Sequence, residues 1–204
     1  TRVIIDVETL LTLPDRELRC GLAECIKHGM IRDESLFDWT VANAGGILKQ
    51  DGDVLGELVR RNVEIKAAVV MRDEKEAGER AHLNFGHTFA HAIEAAAAYG
   101  GKWQVHHGEA VALGMVAATR LAVDQGLCDD DVLVRLIGAL ETVELPTMTK
   151  KLPADDEMMV HMQMDKKVKD GRIRLVLPTR IGEVIVTDEM PEEAIRQAWL
   201  SLKS

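Results

Sequence analysis

The chain reads NFGHTFAHAIE at residues 84–94 and HHGE at residues 106–109. His87 and His91 stand four positions apart, so on a helix both imidazoles project from one face. A further imidazole follows just before the next helix-like run. Imidazole is a common ligand of zinc and other borderline metals, and a carboxylate is the usual additional donor. The stretch therefore predicts a helix that carries part of a metal site, whereas a lone histidine would favour ordinary hydrogen bonding.

The spacing of the histidines leaves the set of ligands open. One of His87 and His91 can bind a metal while the other transfers protons, because a neutral imidazole suits both tasks near pH 7. His106 and His107 are adjacent in the chain, so either of them can supply the further imidazole.

The carboxylate ligand has three candidates, Glu24, Glu94 and Glu109. Glu24 lies in the run GLAECIKHG at residues 21–29, where its neighbours on both sides are apolar. Lys27 follows one turn later on the same helix face. A buried carboxylate needs a cation or a metal beside it. The alternative is an i,i+3 salt bridge on a solvated face, worth about 0.2–0.5 kcal/mol.

Apolar residues recur at helical spacing on both sides of the histidine stretch. Leu18, Leu22, Ile26 and Met30 repeat every four residues, and Asp15 is expected to cap the helix that they form. The glycine pair at residues 45–46 is expected to break the next helix, and the charged residues 73–80 are expected to form a loop. The predicted helices cover residues 15–32, 33–44, 51–71, 87–99, 108–127, 132–145, 155–164 and 188–203, with a single helical turn at residues 9–14.

Two parts of the chain favour β-structure. The run VII at residues 3–5 is expected to be a strand. Residues 172–177 alternate with period two, residues 178–182 (PTRIG) predict a turn, and residues 183–187 predict a second strand. We therefore expect a mainly α fold, a multi-helix domain with one small β-hairpin near residues 172–187.

The composition limits the class of protein. A chain of 204 residues with 47% hydrophobic residues fits one domain with a substantial core. Its net charge of −9 argues against a nucleic-acid partner, although a local basic pocket can still bind an anion. Without an apolar run of about 18 residues or a signal-peptide pattern, no membrane partner is expected. The three cysteines form no C-x-x-C pair, which favours a reducing compartment, and we expect a cytoplasmic protein.

Several cationic residues stand beside the apolar runs, at Lys27, Lys66, Arg80, Lys166 and Lys167. Each alone is typical of solvated surface. Arg80 and Asn84 just precede His87, within reach of a small ligand on a metal at that histidine. Arginine favours a bidentate grip on carboxylate or phosphate. The arrangement predicts an anionic substrate.

Seven segments together resemble 3-dehydroquinate synthase: PDREL at residues 14–18, GLAECIK at 21–27, EIK at 64–66, DE at 73–74, LNFGHTFAHAIE at 83–94, HGEAVALGM at 107–115 and DKK at 165–167. The resemblance covers essentially the whole chain, in order, and corresponds to the C-terminal half of such an enzyme. No Gly-x-Gly-x-x-Gly pattern occurs, so the N-terminal NAD-binding domain is expected to be absent from this chain. Residues 1–204 are expected to form the helical C-terminal metal and substrate domain.

The resemblance implies a role for each candidate residue. A divalent metal, usually zinc but also cobalt or another ion, would be held by Glu24, His87 and His107. The implied catalytic residues are His91, which would contact substrate and relay protons, and Lys27. The implied substrate-binding residues are Lys66, Arg80, Asn84, Lys166 and Lys167. The fringe of the NAD site would be Thr9, Leu10, Leu11 and Thr12. His28 stands where the family often has tyrosine.

The implied reaction is that of a phosphorus–oxygen lyase of the shikimate pathway. It converts 3-deoxy-arabino-heptulosonate 7-phosphate to 3-dehydroquinate with loss of phosphate, and NAD transiently oxidises the C5 hydroxyl. A homodimer is also implied. Because the C-terminal half lacks the hydride acceptor, we expect no turnover from it alone. The alternatives are a related sugar-phosphate cyclase and a metal-dependent alcohol or glycerol dehydrogenase; the setting of Glu24 in AECIK argues against the dehydrogenase.

Overall fold

In the computed structural model the described residues are 4–73, 78–100, 103–164, 168–169 and 172–203. Among them the helices are α1 (Asp15–Arg32), α2 (Glu34–Ala42), α3 (Ala44–Leu48), α4 (Gly52–Arg72), α5 (His87–Gly100), α6 (His107–Asp124), α7 (Asp130–Thr142), α8 (Asp155–Gln163) and α9 (Glu192–Ser201). Two 3-10 helices cover Val7–Thr12 and Glu79–Asn84. The strands are β1 (Val168–Lys169), β2 (Arg172–Ile173), β3 (Leu175–Arg180) and β4 (Glu183–Thr187). The expected mainly α fold is confirmed.

Helix α1 forms the wall on which the site is built. Its predicted apolar face is confirmed, because Leu18, Leu22, Ile26 and Met30 are all buried. Asp15 is the first helical residue rather than the N-cap, which is Pro14 and makes no side-chain capping bond. An acidic residue in the first turn still favours the helix through its dipole.

Helix α6 runs through the core, and two glycines allow its neighbours to approach its backbone closely. A Cβ on Gly114 would lie 2.2 Å from the carbonyl oxygen of Gly86, at the start of α5. A Cβ on Gly108 would lie 2.3 Å from the Cα of Cys20 on α1. Gly86 has a φ of +76°, which only glycine adopts easily. These contacts fix the start of α5 against the middle of α6, and the start of α6 against α1.

The predicted β-hairpin is confirmed, with a different turn. Strands β3 and β4 pair antiparallel, from Leu175 opposite Thr187 to Arg180 opposite Glu183. Pro178 belongs to β3, opposite Val184, instead of opening the turn, and the register shifts between Pro178 and Arg180. Proline is tolerated there because this two-stranded sheet has an outer edge where no N–H is needed.

The turn of the hairpin and its surroundings also differ from the sequence expectation. Gly182 turns the chain with a φ of +89°. Arg172 and Ile173 form the separate strand β2, which pairs with Val168 and Lys169 of β1. The first predicted strand therefore divides into two, each with its own partner.

Two further expectations were wrong. Ile4 and Ile5 form no strand, and Ile4 is 90% exposed, because no strand among the described residues lies beside them. The glycine pair at 45–46 lies inside α3 rather than in a break. The break falls at Asn43, whose side-chain amide donates to the Trp39 carbonyl oxygen at 2.8 Å and so ends α2.

Element boundaries elsewhere follow the predictions within a few residues. The exception is the charged loop, whose last two residues, Glu79 and Arg80, begin a 3-10 helix that ends at Asn84. None of the described helices combines the length and the apolar character that crossing a bilayer requires.

Candidate metal centre and substrate cavity

Three candidate ligands from three helices meet at one point. Glu24 projects from α1, while His87 and His107 are the first residues of α5 and α6. The Nε2 atoms of both imidazoles lie 3.6 Å from Glu24 Oε1. One possible ligand atom from each of the three side chains lies within 4.8 Å of the other two.

The carboxylate oxygen between the two imidazoles fits a metal ligand. Glu24 Oε1 is shielded from solvent and has no hydrogen-bond partner among the described residues. A buried polar atom left in this state costs about 1–3 kcal/mol. Two ligand atoms that each lie about 2.1 Å from a tetrahedral metal ion would lie about 3.4 Å from each other. The observed 3.6 Å separations leave the space that one such cation needs.

Each imidazole is held so that its Nε2 atom faces the carboxylate. His87 Nδ1 lies 3.1 Å from the carbonyl oxygen of Phe85, and His107 Nδ1 lies 3.1 Å from Glu94 Oε1. Both of these oxygens only accept, so each Nδ1 carries the proton. A metal-binding imidazole usually donates its other N–H to such a carbonyl or carboxylate.

The competing acids face other partners. Glu94 contacts the far nitrogen of His107 and so supports that ring from behind. Glu109 makes two hydrogen bonds of 2.8 Å with Arg16 and accepts one from the backbone of His106. The His106 imidazole turns to Glu17, with Nδ1 3.0 Å from Oε1. The structure therefore brings together Glu24, His87 and His107, and directs Glu94, Glu109 and His106 to other partners.

Lys27 is ion-paired with the other oxygen of Glu24. The two form the i,i+3 pair that the sequence offered, but Lys27 is only 3% exposed, so it is not on a solvated face. Burial raises the pKa of the Glu24 carboxyl, but Lys27 and His87 more than offset this and hold it below the usual value. Burial lowers the pKa of Lys27, and Glu24 opposes that shift.

A cavity of about 520 Å³ opens from this centre. Its lining residues are Glu24, Lys27, His28, Lys66, Arg80, Leu83, Asn84, His87 and His107. Lys66 comes from α4, and Arg80 and Asn84 come from the second 3-10 helix. The cavity has the size of a small-molecule site. Three predicted substrate contacts thus lie beside the candidate metal ligands.

The remaining predicted site residues lie near the cavity, at the surface or outside the described residues. His91 is not among the lining residues, and its ring centroid lies 5.8 Å from that of His87. Lys166 and Lys167 fall outside the described residues. Thr9, Leu10, Leu11 and Thr12 lie on the first 3-10 helix, which has no buried residue.

Sequence reasoning missed the groups that hold the 3-10 helix of Arg80 and Asn84. Glu79 pairs with Arg32 of α1 at 2.5 Å and with Arg72 of α4 at 2.6 Å. Asp73 accepts from the backbone N–H of Arg80 at 2.9 Å. The only sequence signal was the density of charge in residues 73–80, which is equally typical of a solvated loop.

Comparisons with known proteins identify the family of this chain. Residues 21–168 match the family described as 3-dehydroquinate synthase C-terminal. A 3-dehydroquinate synthase of Vibrio atlanticus (strain LGP32) is 47% identical over 196 residues, which are 96% of this chain and 53% of that protein. The chain thus spans about half the length of this curated relative.

Solved structures share the fold. ValA, a 2-epi-5-epi-valiolone synthase from Streptomyces hygroscopicus subsp. jinggangensis 5008 with NAD+ and Zn2+ bound, superposes with a TM-score of 0.85 at 28% identity, covering 97% of this chain and 54% of that one. A 2-deoxy-scyllo-inosose synthase in complex with carbaglucose-6-phosphate, NAD+ and Co2+ gives 0.77 at 21% identity, covering 94% and 55%. On the family match and the identity to the Vibrio protein, this chain belongs to the 3-dehydroquinate synthase C-terminal family.

Proposed function

We propose that this chain is the metal- and substrate-binding half of a 3-dehydroquinate synthase. The complete enzyme would convert 3-deoxy-arabino-heptulosonate 7-phosphate to 3-dehydroquinate and phosphate, in the shikimate pathway and in the cytoplasm. The observation that carries the proposal is Glu24 Oε1, which has no hydrogen-bond partner among the described residues and lies 3.6 Å from two imidazole nitrogens at the wall of a cationic cavity. A metal centre beside fixed cations suits a substrate with a carboxylate and a phosphate.

Glu24, His87 and His107 are the proposed ligands of a divalent metal, zinc or cobalt. When bound, the metal would supply Lewis acidity to a substrate oxygen. Support comes from the two Nε2 atoms that face Glu24 and from the Zn2+ in ValA, the solved relative at 28% identity.

Lys66, Arg80 and Asn84 are the proposed substrate-binding residues of the cavity, together with Lys166 and Lys167. Arg80 offers a planar guanidinium that pairs two oxygens of a carboxylate or phosphate, and Lys66 offers a compact charge. Asn84 can both donate to and accept from a hydroxyl group. Cations held in place orient a dianionic leaving group and stabilise the charge that it develops.

Lys27 and His91 are the proposed catalytic residues. The ion pair with Glu24 fixes the Lys27 ammonium at the cavity wall, where its remaining protons can be donated to a substrate oxygen. His91 lies one turn after His87 on α5, and an imidazole there is suited to relay a proton near pH 7. Neither role requires a strong protein base, because the substrate phosphate can itself accept a proton.

NAD is proposed to be bound by an N-terminal domain of the complete enzyme and to act there as the hydride acceptor. Thr9, Leu10, Leu11 and Thr12 are the proposed fringe of that site. Their 3-10 helix is anchored from one side by Gln50, whose amide lies 3.3 Å from the Leu10 carbonyl oxygen. Its other side is exposed, as a surface for a partner domain must be. We infer that the complete enzyme is a homodimer, as the family resemblance implies.

A related sugar-phosphate cyclase activity is the second candidate, because ValA shares the fold with a TM-score of 0.85. The identity of 47% to a 3-dehydroquinate synthase, against 28% to ValA, favours the first candidate. Lys66, Arg80 and Asn84 also favour a substrate that carries a carboxylate.

The test uses the full-length protein with NAD+ and Zn2+. We expect phosphate release from the heptulosonate phosphate and formation of 3-dehydroquinate, followed by its absorbance, with little turnover of the matching heptulose phosphate that lacks the carboxylate. The opposite preference would favour the second candidate, and turnover of neither would contradict the proposal. Residues 1–204 alone should release no phosphate; measurable release would contradict the need for a nucleotide domain.

A further inference from the structure

We propose that His28 is a further substrate-binding residue, whose Nε2 atom accepts a hydrogen bond from a substrate hydroxyl group. The inference rests on the proposed function, because it requires a phosphorylated polyol in the cavity. His28 follows Lys27 on α1, lines the same cavity and is 7% exposed. It is therefore a buried side chain with one edge on the proposed substrate space.

The proton of His28 is fixed on the nitrogen that faces Asn62, a residue that is not among those lining the cavity. His28 Nδ1 lies 2.8 Å from Asn62 Oδ1. The orientation of the Asn62 amide is set in turn, because its nitrogen donates to the Leu58 carbonyl oxygen at 2.8 Å within α4. The amide oxygen that faces His28 only accepts, so Nδ1 carries the proton and Nε2 carries the lone pair of the neutral ring.

The surroundings favour this neutral ring. Burial lowers the pKa of His28 below its usual value, and the charges of Lys27 and Lys66 act in the same direction. The hydrogen bond with Asn62 and the charge of Glu24 oppose the shift without reversing it. An acceptor nitrogen at this position therefore agrees with the geometry of the Asn62 contact.

Among the other described residues of the cavity, Asn84 can also accept from a hydroxyl group, but a polyol carries several hydroxyl groups and the cations cannot accept from any of them. Lysine and arginine side chains only donate hydrogen bonds, so Lys27, Lys66 and Arg80 match the anionic oxygens of a substrate but not its hydroxyl protons. Glu24 has one oxygen on Lys27 and the other facing the two imidazoles. A neutral nitrogen accepts a hydroxyl proton without adding a negative charge that would repel the carboxylate and phosphate.

Asn62 follows as a positioning residue, which acts through His28. A polyol with hydroxyl groups on successive carbons can place one of them at Nε2, and the fixed tautomer makes that contact specific for a donor. The chemical class that this subsite recognises is an alcohol of a phosphorylated, carboxylated sugar, rather than another anionic group.

The test compares variants of the full-length enzyme. His28→Phe removes the acceptor and keeps a planar ring, and we expect kcat/KM to fall about tenfold to a hundredfold, as for the loss of one buried hydrogen bond. His28→Gln keeps an acceptor and should lose less than His28→Phe. Asn62→Leu removes the acceptor that fixes the His28 tautomer, and the loss of kcat/KM should lie between those of the wild type and His28→Phe. His161→Phe, a ring on α8 that stacks on Tyr99, is the matched control and should leave kcat/KM unchanged.

A second readout distinguishes contact from structural support. A series of substrates each lacking one hydroxyl is measured on the wild type, on His28→Phe and on Asn62→Leu. Removal of one particular hydroxyl group should lower the kcat/KM of the wild type about tenfold or more. The same removal should lower the kcat/KM of His28→Phe little further, because that variant has already lost the contact. If His28→Phe does not fold, Asn62→Leu replaces it in the test, because it should show the same effect in part.

Equal losses of kcat/KM in all three proteins on removal of each hydroxyl group, or an unchanged kcat/KM in His28→Phe, would overturn the inference and leave the proposed function intact. Turnover by no protein, the wild type included, would overturn both.

Discussion

The metal end and the cationic rim of the cavity are built in different ways. Glu24, His87 and His107 stand on helices whose backbones touch, at Gly108 against Cys20 and at Gly114 against Gly86. Arg80 and Asn84 stand on a short 3-10 helix that surface ion pairs of Glu79 hold. Close backbone packing therefore fixes the proposed metal ligands, whereas the proposed contacts to the larger substrate rest on side-chain ion pairs.

The largest expected effect comes from filling the contact between α5 and α6. In Gly114→Ala the new Cβ would lie 2.2 Å from a backbone oxygen, so the helices must move apart. We expect the free energy of unfolding, measured by urea titration, to fall by about 3 kcal/mol or more. Gly138→Ala on α7 is the control, because no atom lies within 4 Å of its Cβ, and it should gain up to about 1 kcal/mol. Similar changes in both variants would contradict the account of a fixed metal end.

The next effect concerns the two histidines of α5. His87→Ala should abolish stoichiometric zinc binding in the full-length protein, because only two of the three proposed ligands are left. His91→Ala should largely retain zinc and lose activity instead. Metal analysis after gel filtration measures both, and an equal loss of zinc in the two variants would refute the division of roles.

A smaller effect is expected from the support behind His107. Glu94→Gln leaves an uncharged group at the His107 Nδ1 atom, 3.1 Å away in the native protein. Loss of such a partner typically lowers metal affinity 10- to 100-fold, so competition with a chelator should show a shift of about that size. His106→Ala, a neighbour that turns to Glu17, should show no shift. A larger loss of metal affinity in His106→Ala than in Glu94→Gln would assign the ligand to His106 instead of His107.

The smallest effect is expected at the rim. Glu79→Gln weakens the pairs with Arg32 and Arg72, whose side chains are partly exposed, and exposed pairs contribute about 0–1 kcal/mol. We expect KM to rise a few-fold while zinc content and kcat stay near those of the wild type. A loss of zinc in this variant would show that rim and metal end are not independent.

The same comparison explains how far the sequence alone could lead. Helix α1 and the start of α5 were predictable because their apolar residues repeat at helical spacing and their polar exceptions, Glu24 and His87, interrupt that pattern. The choice of Glu24 over Glu94 and Glu109 as the ligand needed the family resemblance. Spacing along the chain does not show which carboxylate approaches an imidazole of another helix.

The parts that sequence could not predict depend on contacts between distant segments. Asn62 stands 34 residues after His28, and Glu79 meets Arg32 across 47 positions, so neither pair leaves a local pattern. Pro178 was expected to open a turn, but the edge of the sheet tolerates a proline within β3. The glycine pair at 45–46 was expected to break a helix, but it lies within α3. Local propensity was overruled there by tertiary packing.

We propose that one divalent cation is bound jointly by Glu24, His87 and His107. Anomalous diffraction at the zinc absorption edge, from crystals of the full-length protein, tests it directly. The account predicts a single strong peak about 2.0–2.2 Å from Glu24 Oε1 and from the Nε2 atoms of His87 and His107. A peak at His91 or His106, or zinc bound without Glu24, would contradict it.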